Sequence, residues 1–536
     1  MKIKNYKYII GALALGLFSS CDYESINTNQ LEMTPEMGIM DGIAVGAPFK
    51  SIQQNVFPVG TQADDTDVIN QYQIAYHLSA DSWAGYFGQN NNWDGGRNHL
   101  TYVLNDGWIS ASYKAAYSSI LDSWKKIKDE HEKIDMPETF ALAQILKISA
   151  WHKATDMFGP IPYKHAGEPI LVVPYDSQED VYQYFFDDLS EAINILTPLA
   201  EQNGKLMANY DAIYAGSASK WVQYANSLKL RLAMRIRYAD AEKAKRYAEE
   251  AVNHPIGVMM AKDDEAQISK GAGSVFVNNI EWLDKQYNES RMGSSILAYL
   301  SGYEDPRLPK YFEESDSPYA VEVPQGGKYQ AIPTGHVKAT NDYFKAFSHS
   351  NFKSETPTYW MRASEVYFLR AEGALIGWNM KGDAESLYKE GISISFEENG
   401  IPSSAVDAYI NSGKAPAKYE LEAPISVNVP APTSATAEWE GSTEQKLEKI
   451  ITQKWIALFP NGQEAWSEWR RTGYPKLHQV IKNNSGGEVS TEKGIRRMIY
   501  PKSERQSAEQ IDNYNKAVEL LGGPDKPNTN LWWDKK

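Results

Sequence analysis

The chain has 536 residues, 42% of them hydrophobic, which is enough for one large core or two fused lobes. Its 69 acidic residues outnumber 54 basic ones, a net charge of −15 that argues against a nucleic-acid surface, because phosphates need a basic face. One cysteine, Cys21, excludes an internal disulfide framework.

The first twenty residues carry Lys2, Lys4 and Lys7, an apolar run, and then Ser19-Ser20-Cys21. This is the layout of a secretory signal, and the run falls short of the ~20 apolar residues that span a bilayer. A cysteine at the cleavage point reads as a lipobox: the thiol is acylated (palmitate) and Cys21 becomes the first mature residue, although Phe18 stands where Leu is usual. Removal of the leader leaves 51 basic against 69 acidic residues, a net charge of −18. Anionic lipid therefore does not attract the chain, and the acyl groups anchor it. Residues 22–33 read as a polar tether.

Beyond the tether the periodicity predicts four helical pairs. Residues 112–130 form one candidate, leading by a short loop into 140–157 with 178–196. Residues 218–237 pair with 239–253; there Trp221, Ala225, Leu228, Leu232 and Ile236 fall three and four apart in one apolar stripe. Residues 363–377 pair with 383–397, where small residues mark the crossings in a degenerate tetratricopeptide pattern. Such hairpins stack on one another because none buries its face alone. The alternative is a set of unrelated helices in an irregular α domain. The stretches 257–329 and 412–442 read as long irregular loops, the second rich in Pro, Ala, Ser and Thr. The fold class expected is mainly α, with a few short strands.

Sequence signals of catalysis are absent. No G-x-S-x-G, Walker or G-x-G-x-x-G stretch occurs. His131-Glu132 begins like a zinc-protease motif, but Asp135 stands where the second histidine is needed. The pairs Asp187/Asp188 and Asp263/Asp264 are carboxylates that a glycosidase could use, yet 69 acidic residues produce such pairs by chance.

Aromatic content is 12%, with 33 Tyr and 15 Trp. Most are core, but exposed Trp and Tyr suit the apolar C–H face of a pyranose. The stretch DSWAGYFGQNNNWDGGRN holds Trp83, Tyr86, Phe87 and Trp93 among Asn90, Asn92, Asp94 and Arg97. Its glycines allow a bent loop, and its amides both donate and accept. Two readings stay open: exposed rings, of which Trp93 is the first choice, or helical turns that send Trp83, Tyr86 and Phe87 inward. A second candidate stretch, 278–291, carries Trp282 and Tyr287.

The block KIITQKWIALFPNGQEAWSEWRRTGYP (449–475) resembles the SusD/RagB family of outer-membrane lipoproteins, in its SusD-like branch. So do Asp305-Pro306-Arg307, SEVYFLRAE, Arg497 to Pro501 with Glu504, the ending LWWD, and three upstream blocks, DMFGPIPY, DSQEDVYQYFFDDL and KWVQYANSLKLRLAMR. The resemblance covers nearly the whole mature chain in order. It implies a single domain over 34–536, in which four tetratricopeptide-like hairpins (mainly 112–253 and 362–398) pack against an irregular, loop-rich lobe (mainly 254–361 and 399–536). It further implies a non-enzymatic surface protein that binds oligosaccharides, or in some members peptides, as the lid of a SusC-like TonB-dependent transporter. Asp22 and Glu24 fit the surface-export signal of such lipoproteins. No cofactor follows from it; a bound calcium is compatible with it. Glu464, Arg470, Arg471, Arg497 and Glu504 read as buried ion-pair or cap residues joining the lobes, with Asp305 and Arg307 in the same role. Trp455, Trp466 and Trp469, at helical spacing, read as core.

Overall fold

The computed structural model describes residues 43–61, 66–336, 341–423 and 425–536. The leader, Cys21 and the tether lie outside the described residues.

Ten helices carry the architecture: α1 (Ile43–Val56), α2 (Ser119–Ile134), α3 (Pro137–Phe158), α4 (Gln178–Glu201), α5 (Ala218–Arg235), α6 (Ala241–Asn253), α7 (Ala363–Leu375), α8 (Ala384–Glu398), α9 (Thr443–Leu458) and α10 (Gly462–Thr472). Their starts follow local chemistry. Ser177, Ser217, Asp240 and Asp383 accept the first free N–H groups of α4, α5, α6 and α8. Ser442 and Gln445 form a reciprocal capping box at α9.

The helices pack as α1–α2, α3–α4, α5–α6 and α7–α8, four hairpins as the resemblance implied. The first differs from the sequence reading. The helix expected over 112–130 does not stand alone: α1 lies against its continuous part α2, and Ser123 Oγ donates to Ser51 Oγ at 3.1 Å. The scaffold therefore begins near residue 43 rather than 112. Helix α3 is buried on all sides from Ala141 onward save Gln144, and α5 nearly so; these are interior helices rather than amphipathic surface ones.

Strands are short and paired two by two. Phe87–Gln89 pairs antiparallel with Ser290–Met292, and Ala266–Ile268 with Thr358–Met361. Three small ribbons occupy Lys270–Gly271 with Ser274–Val275, Val321–Glu322 with Lys328–Tyr329, and Tyr419–Leu421 with Val427–Val429. All lie outside the helical hairpins, in the loop-rich lobe or the entry to it.

A buried ion network ties the two parts together. Arg231 of α5 grips Glu365 of α7 through two bonds of 2.7 Å. Arg235 lies between Asp156 of α3 (3.2 Å) and Glu464 of α10 (2.5 Å), and also donates to Glu468. Glu468 further accepts from Lys454 (2.9 Å) and Arg471 (2.6 Å), while Arg471 forks onto Glu372 at 2.7 Å. Burial raises the Glu468 carboxyl, but Arg471, Lys454 and Arg235 together hold it well below its ordinary range. Arg307 is held in the same manner by Asp305 and Gln453, and Arg497 by Asp525 at 2.5 Å and the Phe158 carbonyl.

Two of the predicted ion-pair residues differ. Arg470 meets carbonyl oxygens of Asp156 and Arg496 and lies 3.4 Å over the Trp466 ring instead of pairing with a carboxylate. Glu504 is half-exposed and accepts from Tyr175 at 3.0 Å. Trp455 and Trp466 are core, as read; Trp469 is half-buried beneath Arg496.

Candidate ligand-binding site

The two stretches singled out in the sequence are one structure. Strand pairing sets Phe87 opposite Met292, Gly88 opposite Arg291 and Gln89 opposite Ser290. The contact continues past the ladder: Asn90 Nδ2 donates to the Asn288 carbonyl at 2.6 Å, and Asn91 Nδ2 to Glu289 Oε1 at 2.5 Å. Gly85, at φ +78°, makes the approach possible, since a Cβ there would lie 2.8 Å from Ser295 Cβ.

This pairing sends much of the first stretch inward. Tyr86 is 0% exposed, stacks on Trp455 at 5.2 Å and donates to its carbonyl. Phe87 packs against Phe459 and His77, and Asn90 is fully buried. Of the two readings left open, the inward one applies to Tyr86 and Phe87. A ligand at the surface does not touch these three residues.

After Asn91 the chain turns outward through a tight turn, Trp93–Gly96, in which Asp94 (φ +50°) and Gly95 (φ +63°) are both left-handed. Asn92, Asp94 and Arg97 are exposed and Trp93 is half-buried. Trp93 meets Trp108 edge-on at 6.2 Å, and its indole N–H is enclosed without an acceptor. Asp94 Oδ2 accepts from Asn105 Nδ2 at 3.0 Å, while among the described residues no partner engages the Arg97 guanidinium. Asn484 Nδ2 donates to the Gly96 carbonyl at 2.7 Å, fixing the turn from the other side. The result is an aromatic pair on a turn that also exposes an amide, a carboxylate and a guanidinium.

A buried imidazole organises this surface. His99 is 0% exposed and stacks against Trp83 at 5.8 Å, whose indole donates to the His99 carbonyl at 3.0 Å. On the other side it meets Trp108 at 4.9 Å. Nε2 accepts the Asn105 backbone N–H at 3.2 Å, so Nδ1 carries the proton and donates to Ser79 Oγ at 2.8 Å. Burial, opposed only by that backbone bond, pushes its pKa down to about 3. Asn105 in turn caps the helix Asp106–Tyr113 through Trp108 N. One neutral histidine thus positions both the aromatic partner of Trp93 and the amide partner of Asp94.

Trp282 and Tyr287 are half-buried on the second stretch; the Trp282 N–H lacks an acceptor and Tyr287 OH donates to Asn70 Oδ1 at 3.1 Å. Sequence reasoning missed Trp108, Asn105, His99 and Asn484. The signal available for Asn105 was its N-cap pattern, an Asn just before Asp106 and a helical run.

One arrangement has the spacing of a hydrolase relay. His77 Nε2 lies 2.8 Å from Ser290 Oγ and its Nδ1 3.2 Å from Asp81 Oδ2. All three are at most 2% exposed, and Asp81 also binds Tyr72 OH and the Gly462 N–H. A nucleophile must meet its substrate; Ser290 is instead a tie between strand and helix. Among the described residues no cluster of three or more His, Cys, Asp or Glu has metal-binding spacing, and no helix is long and apolar enough to cross a membrane.

Comparison with known proteins agrees with this architecture. Among solved structures, a chitin-binding SusD homolog from Flavobacterium johnsoniae is 36% identical, with a TM-score of 0.84, over 91% of this chain and 98% of that one. SusD homologs from Bacteroides uniformis and Bacteroides thetaiotaomicron are 36% and 34% identical, with TM-scores of 0.83 and 0.80. Each comparison covers 92% of this chain and 99% of the other. No curated protein matches the chain. The family model for SusD-like proteins, described as SusD and RagB outer-membrane lipoproteins, matches residues 25–534. With four helical hairpins, a loop-rich lobe and a match over nearly its full length, the chain belongs to the SusD/RagB family of lipid-anchored outer-membrane proteins.

Proposed function

We propose that the protein captures oligosaccharide or polysaccharide at the cell surface, without cleaving it, and passes it to a SusC-like TonB-dependent transporter whose lid it forms. The observation that carries this is the Trp93–Trp108 pair with Asn92, Asp94 and Arg97 exposed on the same turn. A pyranose offers an apolar face to an indole and hydroxyls to amide, carboxylate and guanidinium groups. The buried His99 scaffold keeps these groups in place before ligand arrives, which lowers the ordering cost of binding. Asp94 and Arg97 contact hydroxyls in this reading; they do not act as acid and base. That a homolog from Flavobacterium johnsoniae is described as chitin-binding supports the ligand class and puts N-acetylglucosamine polymers on the panel.

The test is retardation in native gels cast with glycol chitin, starch, xylan, mannan and polygalacturonate, with the mixtures assayed for released sugar. One polymer should retard the protein with no product. Trp93→Ala should weaken that retention at least about tenfold, ~1.4 kcal/mol, with thermal stability unchanged. Release of sugar, or retention by peptides and by none of the glycans, contradicts the proposal.

A further inference from the structure

Two open hollows in the loop-rich lobe lie away from Trp93. Two openings of about 420 and 440 Å³ flank a ridge formed by Val321 and Glu420. Together they make a trough between two ribbons, Val321–Glu322 with Lys328–Tyr329 and Tyr419–Leu421 with Val427–Val429. The Gln330 amide bridges the ribbons, donating to the Tyr319 carbonyl at 2.7 Å and reaching the Glu420 carbonyl at 3.5 Å. Tyr419 OH anchors the second ribbon to the Ala331 carbonyl at 2.6 Å. Each opening has the size of a small-molecule site.

Its lining matches the chemistry of the Trp93 surface. Tyr319 is 37% exposed, beside Ser426, Asn428 and an exposed Glu422 that no cation pairs among the described residues. Four glutamates line the trough (Glu304, Glu322, Glu420 and Glu422); Lys414 and Lys418 are taken up by Glu304 and Glu420, and Lys328 lies 3.7 Å from Glu322, which leaves Glu422 as the unpaired carboxylate among the described residues. A polyanion is repelled by that balance. One segment runs between the two places: it leaves the trough at Gln330, turns at Thr334–Gly335 and reaches His336, whose Nε2 donates to the Gln89 carbonyl at 2.7 Å, four residues before Trp93. The six residues from Gln330 to His336 span at most about 20 Å, and the four from Gln89 to Trp93 at most about 14 Å more, a separation that a run of several sugars covers.

We infer that this trough, lined by Tyr319, Glu422 and Asn428, is a second contact site for a neutral polysaccharide, engaged by the same chain that lies on Trp93. This rests on the glycan-binding reading above. A ligand long enough to meet both sites gains from the tether between them; a short one meets Trp93 alone.

The test titrates the mature protein with N-acetylglucosamine dimers and octamers, and repeats the gel with glycol chitin, starch, xylan, mannan and polygalacturonate. The panel identifies the glycan series if another is bound. Tyr319→Ala, and separately Glu422→Gln with Asn428→Ala, should weaken the long ligand about tenfold and leave the short one unchanged. Trp93→Ala should weaken both. Tyr319, Glu422 and Asn428 are exposed, so the melting temperatures of the trough variants should match wild type. Long-ligand affinity untouched by both trough variants overturns the inference while leaving the Trp93 reading intact. Loss in the trough variants with none in Trp93→Ala overturns that reading and keeps the trough. Preference for polygalacturonate, or no retention by any polymer, overturns the trough as stated.

Discussion

His99 shows how a single residue can govern a surface it never reaches. Its ordinary pKa is near 6.5, and burial holds it at about 3. Below pH 6.5 the unfolded chain binds a proton that the folded chain refuses. The stability tied to this group is therefore present in full above pH 6.5 and falls on acidification towards pH 3, by ~1.4 kcal/mol per pH unit. His99→Gln retains an acceptor for Asn105 N–H, so urea melts of that variant should lose stability less steeply between pH 6 and 4 than wild type. An unchanged slope would show that other groups set the acid limb. The sequence marked Trp93, Asp94 and Arg97 because rings, amides and charges crowd one glycine-bearing stretch. It did not separate them from Tyr86, Phe87 and Asn90, since exposure there depends on pairing with Ser290–Met292, about 200 residues away. It also passed over Trp108, which meets Trp93 directly and packs on His99 from the following helix.

Among the elements, helices with a capping residue and a regular apolar stripe were legible to within a few residues. Helices α4, α5 and α8 begin where Ser177, Ser217 and Asp383 cap them. Helix α1 was not legible. IAVGAPFKSIQQNV contains Gly46 and Pro48, both poor interior helix residues, and packing of Phe49 and Ile52 against α2 outweighs them. The α7–α8 crossing depends on Gly391, where a Cβ would lie 2.8 Å from Phe368 Cε1. Gly391→Ala adds one methyl to a filled interface, and the expected cost is about 1–3 kcal/mol in denaturant melts. A variant as stable as wild type would mean that Phe368 can move aside.

At the scale of the whole molecule, the hairpins and the loop-rich lobe meet through charges rather than through an apolar seam alone. Removing one partner leaves the others buried and unpaired, which costs about 3–5 kcal/mol. Glu468→Ala removes the carboxylate shared by Arg235, Lys454 and Arg471, leaving Arg235 on Asp156 and Glu464 and Arg471 on Glu372, and should lower the melting temperature strongly; Glu504→Ala, whose carboxylate is half-exposed, should barely change it. Equal effects would contradict the assignment of the network as the joint. The charges themselves were visible in the sequence blocks at 449–475, yet their pairing was not, because Arg235, Glu372 and Glu468 are far apart along the chain. Once assembled, the network leaves the surface free to carry the binding groups.

That surface role is the central claim, and it is tested most directly by a crystal structure of the protein with a hexasaccharide of whichever glycan retards it. The account predicts an intact sugar with one ring against Trp93 and hydroxyls within hydrogen-bond distance of Asp94 or Arg97. A cleaved sugar, or an intact one bound with Trp93 and Trp108 untouched, would contradict it.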